Sequence, residues 1–417
     1  MTRVHQIHLP SRLVRDHEID LGKEIWWEHR SVGTAPSGDR YVLSDLIYDY
    51  GTNGQRRAFA GNVLSRYDAS GSVVTQVFID RVGRSPLLPG YTPTSLSVLP
   101  DGSVLFSQKD NRAYRFDATL TSVTEAAAPG CPGRPRWAFR TRLTPSGRAV
   151  CLLGDNVVGV SDEPVGTALP SLTAVAAMNL DKASSSGGPE YCPPANVAGE
   201  GVPRVELAPH MRELLPGWSP ASAWLHDVVP LDDDTFIVIV TCWEERAGNR
   251  RTASVCALVD ATGRLRGRLD LTTHDDSAHH GVRDVVVDQR RQRVFHLDAS
   301  GLYVFDETGR QVFRLSAGDD RYGMLTNLRL REFDPRGNLV MVHRVQHLLV
   351  TLPVPDDLAD FPEAIADMVT TFRKTALAIY RRALMDNPER HRRPNWYWTA
   401  DAPLATFDRS TVAITPM

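Results

Sequence analysis

Cysteine is scarce: Cys131, Cys151, Cys192, Cys242 and Cys256 make five in 417 residues. The number is odd, the positions are scattered and no Cys-x-x-Cys pair occurs, which argues against a thiolate zinc site or a disulfide framework. Lysine is scarcer still, four against 43 arginines, a bias that points to a GC-rich genome rather than to a function. No stretch of about 18 apolar residues runs unbroken, so no membrane-spanning helix is expected. The beginning, "MTRVHQIHLPSRLVRDHEID", lacks the apolar run and small-residue cleavage site of a signal peptide, and a cytoplasmic location follows as the expectation. Excess charge is also missing. At a net −3 the chain as a whole has no electrostatic footprint for nucleic acid or an anionic membrane, and neither is expected as a partner. Phosphate-binding Gly-x-x-x-x-Gly-Lys, dinucleotide-type Gly-x-Gly-x-x-Gly, His-Glu-x-x-His, Gly-x-Ser-x-Gly and Cys-x-x-Cys-His are all absent. Their absence argues against nucleotide, flavin or haem cofactors and against a serine-hydrolase mechanism.

What is present is a repeat. The stretch "SLSVLPDGSVLFSQKDNRAYRFDATLTSV" (95–123) reads as four short strands separated by polar turns, and "VRDVVVDQRRQRVFHLDASGLYVFDETGRQVFRL" (282–315) repeats its grammar. An aspartate at the third turn recurs at Asp68, Asp117, Asp162, Asp260 and Asp306, in steps of 49, 45, 98 and 46 residues, the long step being about two periods. An earlier turn recurs as "LPDGS", "TPSGR", "LDDDT", "DQRRQ" and "DPRGN". Such residues tolerate the backbone conformations of tight hairpins. Units of 40 to 50 residues with four strands each are the signature of propeller blades.

The expected fold is therefore all-β, a six-bladed β-propeller with seven blades as the alternative. Blades are expected near 38–80, 94–128, 138–180, 222–271, 282–316 and 326–354, in a single propeller domain over 1–355. The Gly-, Pro- and Ser-rich segment 181–221 reads as a loop inserted on one face, a distorted seventh blade or an interdomain linker. Residues 356–417 form a C-terminal helix and tail. From Pro362 to Asp386, Ile365, Met368, Val369, Phe372, Ala376, Ile379, Tyr380 and Ala383 fall three or four apart, the stripe of an amphipathic helix. It packs on the propeller or joins two copies as a homodimer. The tail "HRRPNWYWTADAP" (391–403) mixes bases with aromatics and reads as a packed tail, and "STVAI" (410–414) as a strand beside the N-terminal strands.

The repeat resembles those of the NHL-repeat and gluconolactonase/strictosidine-synthase-like propellers, in "PTSLSVLPDGSVLFSQKDNRAYRFD" and "VRDVVVDQRRQRVFHLDASGLYVFDETG". The resemblance spans most of 38–354 and speaks for fold more than for function, because propellers serve as enzymes, binders and scaffolds alike. Gluconolactonase-like members imply a divalent metal held by a Glu, an Asn and an Asp. Asn327 with Asp227 or Asp284 would stand in such positions, but no Glu starts the first inner strand and Glu28 falls off the expected strand. Strictosidine-synthase-like members imply a channel Glu, also missing. The activities of those families do not transfer.

In a propeller the first strand of each blade lines the channel, and the loop entering it lies on the ligand-binding face. "TTHDDSAHHGVRDVVV" (272–287) is such a loop and strand, with three histidines and three aspartates in eleven positions. The same entry position holds Asp45 in blade one, Arg140 and Arg142 in blade three, His226 and Asp227 in blade four, Arg283 and Asp284 in blade five, and Thr326 and Asn327 in blade six. One reading is a metal site drawn from His226, His279, Asp227 and Asp284, with one divalent ion activating water or a carbonyl. Another is metal-free: His226, His279 or His280 as acid/base, Asp227 and Asp284 orienting, and Arg140 and Arg283 holding an anion. The third is a solvated polar loop. Trp137, Trp224 and Tyr322, placed just before inner strands, with Asn327 and Asp45, would wall a substrate pocket. The expected function is an enzyme acting on a small organic molecule by hydrolysis, elimination or cyclisation. A non-catalytic scaffold or a small-ligand-binding module is the alternative.

Overall fold

The computed structural model describes residues 1–12, 25–49, 58–80, 94–108, 113–126, 139–152, 156–166, 172–179, 202–214, 222–246, 249–269, 284–298, 301–316, 325, 327–344, 346–386 and 398–408. Strands β1 (Arg3–Gln6) and β2 (His8–Pro10) open the chain. Blade one follows as β3 (Ile25–Thr34), β4 (Arg40–Asp49), β5 (Ala58–Tyr67) and β6 (Val73–Asp80), and blade two as β7 (Thr94–Val98), β8 (Val104–Gln108), β9 (Ala113–Phe116) and β10 (Val123–Ala126). Blade three has β11 (Phe139–Leu143), β12 (Arg148–Leu152), β13 (Val157–Pro164) and β14 (Leu172–Asn179), with β15 (Arg204–Glu206) added in parallel before the short helix α1 (Ala208–Leu214). Blade four is β16 (Ser222–Pro230), β17 (Thr235–Arg246), β18 (Asn249–Asp260) and β19 (Leu265–Arg268). Blade five is β20 (Asp284–Asp288), β21 (Arg293–Leu297), β22 (Gly301–Phe305) and β23 (Gln311–Ser316). Blade six takes β24 (Leu328–Phe333), β25 (Asn338–His343) and β26 (Leu348–Pro353), and β1 supplies its fourth strand by pairing antiparallel with β26. Helix α2 (Phe361–Asp386) and strands β27 (Trp398–Ala400) and β28 (Leu404–Asp408) complete the chain. The fold is a six-bladed β-propeller with a C-terminal helix.

The chain divides into two compact units. One comprises 1–110, 114–126 and 319–416 and holds blades six, one and two; the other comprises mainly 127–318 and holds blades three, four and five. Each unit is cored by the faces of adjacent sheets. In the first, Val42, Val63 and Phe78 of blade one meet Val340, Val342 and Leu349 of blade six, and Leu43 and Leu64 meet Leu96, Phe106 and Tyr114 of blade two. In the second, Val150, Val158 and Val160 pack on Phe236, Val238 and Val240, while Ile237, Ile239 and Leu258 pack on Val285, Val294 and Phe305. Alternation along each strand puts one apolar row on each side of the sheet, so every interior blade is buried on both faces.

The recurring aspartates make the turns. Asp68 Oδ1 accepts the amide hydrogens of Ser70 and Ser72, Asp260 those of Thr262 and Arg264, and Asp306 those of Thr308 and Arg310. Each is an Asx turn closed by a glycine in the left-handed region, φ 91° at Gly71, 75° at Gly263 and 86° at Gly309, where a side chain would be strained. Asp162 does not belong to this set. It lies inside β13, and its carboxylate accepts from the Thr173 hydroxyl.

Three sequence expectations are corrected. Blade one begins at β3, not at 38: β3 contacts β7 and β24, the first strands of its two neighbours, and is therefore the inner strand. Asp45 consequently sits on the second strand, not at an inner-strand entry. Trp224 lies within β16, opposite Thr241, rather than before it. Of the 181–221 insertion, the described part adds a strand to blade three and one helical turn pair. Strand β28 pairs in parallel with β6, and β2 with β27, so the tail is packed as strands. The segment 410–414 lies outside the described residues.

Candidate functional site

Inner strands are where backbone irregularity collects. The pairing of inner and second strand shifts register at Arg30 in β3, at Arg140 and Thr141 in β11, at His226 in β16 and at Arg331 in β24. A shift of this kind leaves one residue unpaired and re-aims its side chain, and such bulges concentrate beside functional sites. At all four places the displaced segment carries a basic residue. Sequence reasoning singled out Arg140 and His226 but missed Arg30 and Arg331, because β3 was unrecognised and a bulge leaves no mark beyond a lapse in alternation.

In the second unit β16 lies against both β11 and β20. Asp227, next to the shifted His226, is buried; its Oδ2 accepts from Arg142 Nη2 at 2.8 Å and its Oδ1 from the Val228 amide at 2.9 Å. The ion pair thus ties the inner strands of blades three and four together. Arg142 is one-third exposed, and its Nε–H is buried without an acceptor. A guanidinium held through a single nitrogen keeps donors and charge for a further acceptor. His226 is half-buried. Asp284 opens β20, buried, and its carbonyl accepts from His296 Nδ1 at 3.2 Å; His296 Nε2 in turn faces Asp298 at 3.3 Å.

The first unit holds a second polar cluster. Glu28, Asp45 and Asn62 are direct cross-strand neighbours on β3, β4 and β5. Arg30 Nε donates to Asp45 at 2.7 Å and Nη1 lies 3.3 Å from Glu28, while Asn62 Nδ2 donates to Asp45 at 2.6 Å. Asp45 is 3% exposed against 28% and 29% for Glu28 and Arg30, so a buried carboxylate anchors a half-exposed charged pair. Glu28 was placed off the inner strand by sequence; the structure puts it on β3. On the other face of β3 and β4, His29 Nδ1 is 2.7 Å from Ser44 Oγ and His29 Nε2 is 3.0 Å from His347 Nδ1. Burial first, then His347 and Arg331 nearby, holds the His29 pKa well below its usual value, and burial with His343 nearby takes His347 to about 4. Both imidazoles are neutral, and the Arg331 guanidinium donates to the carbonyls of His29 and Leu330.

His279, His280, Arg283, Trp137 and Tyr322 lie outside the described residues, as do the side chains of Arg140 and Trp224. Asn327 is exposed, its carbonyl accepting from the Arg344 amide. The structure therefore brings Asp227 together with Arg142 and sets it beside His226; Asp45 belongs to the separate cluster. Among the described residues no three His, Cys, Asp or Glu side chains converge as a metal cage, and His279, one of the expected ligands, is not among them.

No family model and no curated protein matches the sequence. Solved structures are similar at the level of fold. A luciferin-regenerating enzyme matches at 11% identity and TM-score 0.35 over 60% of this chain and 68% of its own. YCF48 bound to D1 peptide matches at 10% and 0.37 over 85% and 97%, and YCF48 from Cyanidioschyzon merolae at 10% and 0.35 over 84% and 98%. Likeness this low carries no argument about activity or partner.

Proposed function

We propose that the chain is an enzyme acting on a small anionic organic molecule by acid/base chemistry, of the hydrolase, lyase or cyclase kind. The observation that carries the reading is the bulged inner strand β16, which presents half-buried His226 beside the Arg142–Asp227 pair. His226 is the acid/base group. Asp227, neutralised by Arg142, orients, and Arg142 with Arg140 and Arg283 holds the developing or resident negative charge. Asp284, His279 and His280 would complete the site from blade five, with Trp137 and Trp224 walling it. In the metal-assisted version, His226, His279 and Asp284 would hold one divalent ion, which would supply water activation. Asp227 is the poorest of the expected ligands, since both of its oxygens already accept hydrogen bonds. Membership of the gluconolactonase-like propellers is likewise part of this proposal.

The test is turnover of a panel of small lactones, esters and hydroxy acids, with metal content read by mass spectrometry. His226→Ala should lower any activity found by about 10²- to 10⁴-fold with the fold retained. Activity untouched by His226→Ala and by Arg142→Leu would overturn the reading. Stoichiometric metal lost in the His279→Ala/His280→Ala double variant would select the metal-assisted version. One observation favours the alternative, a non-catalytic scaffold or ligand-binding module: Asp227 is satisfied by its own blade pair without any ligand. That alternative is supported if ligand binds and no substrate turns over.

A further inference from the structure

Helix α2 carries two different surfaces. Its first half buries Phe361, Ile365, Met368, Val369 and Phe372, packing on β26 and β1, with Phe372 against His343 at 4.9 Å between ring centroids. This is the stripe that the sequence periodicity predicts. From Arg373 onward the stripe is only half covered, leaving its Tyr380 43% exposed, and two further apolar residues stand off the stripe, Leu377 at 47% and Met385 at 77%. Among the described residues only three other large apolar side chains are comparably exposed, Met1, Val74 and Val312. Three of six thus fall within nine residues. Leu377 stands three residues before Tyr380 and eight before Met385, spacings that share a helix face, so the two flank Leu377 on one broad exposed surface.

Basic residues frame that surface. Arg373, Lys374, Arg381 and Arg382 are exposed on the same half of the helix, and Arg390, Arg392 and Arg393 follow in sequence, against the acids Asp386 and Glu389. Counting 373–393 with His neutral gives seven cations and two anions, a local +5 in a chain whose net charge is −3. The whole-chain charge conceals this concentration. A helix with exposed aliphatic and aromatic side chains amid arginines is the pattern that lies in the headgroup layer of an anionic bilayer. We infer that the second half of α2 docks on an anionic lipid surface, with Leu377, Tyr380 and Met385 entering the interface and the arginines meeting acidic headgroups. A second copy of the chain fits poorly, because it would set two basic strips against each other. A nucleic acid would meet the arginines but offer no apolar acceptor for Leu377 and Met385.

Co-sedimentation of the full chain with vesicles made with and without phosphatidylserine tests this. Binding is expected to the anionic vesicles, weakening steeply with added salt, and to be slight for phosphatidylcholine alone. Each Arg→Glu change removes an attraction worth about fivefold and adds a repulsion, so Arg373→Glu/Arg381→Glu/Arg382→Glu should lose at least on the order of a hundredfold. Leu377→Ser/Met385→Ser should lose about tenfold. Both variants alter exposed residues, and an unchanged thermal melt will show that the fold is intact. Failure of the native chain to bind anionic vesicles, or equal binding by the charge-reversed variant, overturns the inference. Capture by single-stranded DNA or by poly-glutamate under conditions where vesicles are not bound would give the surface to another partner and likewise overturn it.

Discussion

Asp45 lies almost wholly out of water, and its charge is tolerated because Arg30 donates to one of its oxygens and Asn62 to the other. Removing one partner of a buried pair costs more than the pair itself contributes, because a charge is left behind. Asp45→Ala is expected to destabilise by about 3 kcal/mol and Asp45→Asn by roughly half of that, read as the shift of the urea midpoint at unchanged slope. The Arg142–Asp227 pair is the one to read by its coupling. Arg142 is one-third exposed, so water screens the pair, and a double-mutant cycle with Arg142→Leu and Asp227→Asn should give a coupling of about 1 kcal/mol. The contrast is diagnostic. A pair that contributes little to stability but whose loss abolishes turnover is placed for chemistry, whereas parallel losses would mark it as structural.

At the scale of elements, the chain's first ten residues do more than their position suggests. Strand β1 is the outer strand of blade six, and Ile7 and Leu9 are buried just beyond it. Deleting 1–10 would bare the edge of β26, a template for pairing with other chains; a melting temperature lower by several degrees and concentration-dependent aggregation in light scattering are expected. Asx turns are smaller devices: Asp260→Ala should cost about 1 kcal/mol in thermal or urea unfolding, by freeing the Thr262 and Arg264 amides. These turns were legible in the sequence because Asp and Gly at fixed offsets are demanded by local backbone geometry. Five of the six blades were legible through them. Strand β3 was not: "IWWEHRSVGT" breaks alternation at the Arg30 bulge, and missing it moved Asp45 inward by one strand. Nor was β1, since a strand that completes a blade from the far end of the chain has no repeat partner beside it. For the site, the placing of His226, Asp227 and Asp284 on inner strands was readable from the repeat. The Arg142–Asp227 pair was not, because it depends on how neighbouring blades face each other, and no local pattern encodes that.

The molecule as a whole distributes its titratable burial unevenly. His5, His29, His343 and His347, the four described histidines whose pKa burial drives down, all belong to the unit of blades six, one and two. His5, His343 and His347 are each brought to about 4, and an unfolded chain would protonate them near 6.5. Between those values the unfolded chain binds more protons than the folded one, so stability rises with pH through that window. The contribution is complete above about 6.5 and is lost progressively as the pH falls towards 4, by roughly 2–3 kcal/mol for each of the buried His343 and His347 and less for the partly exposed His5. Protonation also breaks contacts: His29 and His347 are joined ring to ring, and two imidazolium ions cannot share that geometry. Acid should therefore loosen this unit ahead of the unit of blades three to five. Hydrogen exchange, corrected for its intrinsic pH dependence, should show protection falling between neutral pH and pH near 5 in β3, β4, β25 and β26 while β17 and β18 keep theirs. His347→Leu, which removes one proton acceptor and keeps an apolar filler, should flatten the acid limb of a stability-against-pH curve. Equal loss of protection in both units would mean that acid acts through the carboxylates common to them, not through these histidines.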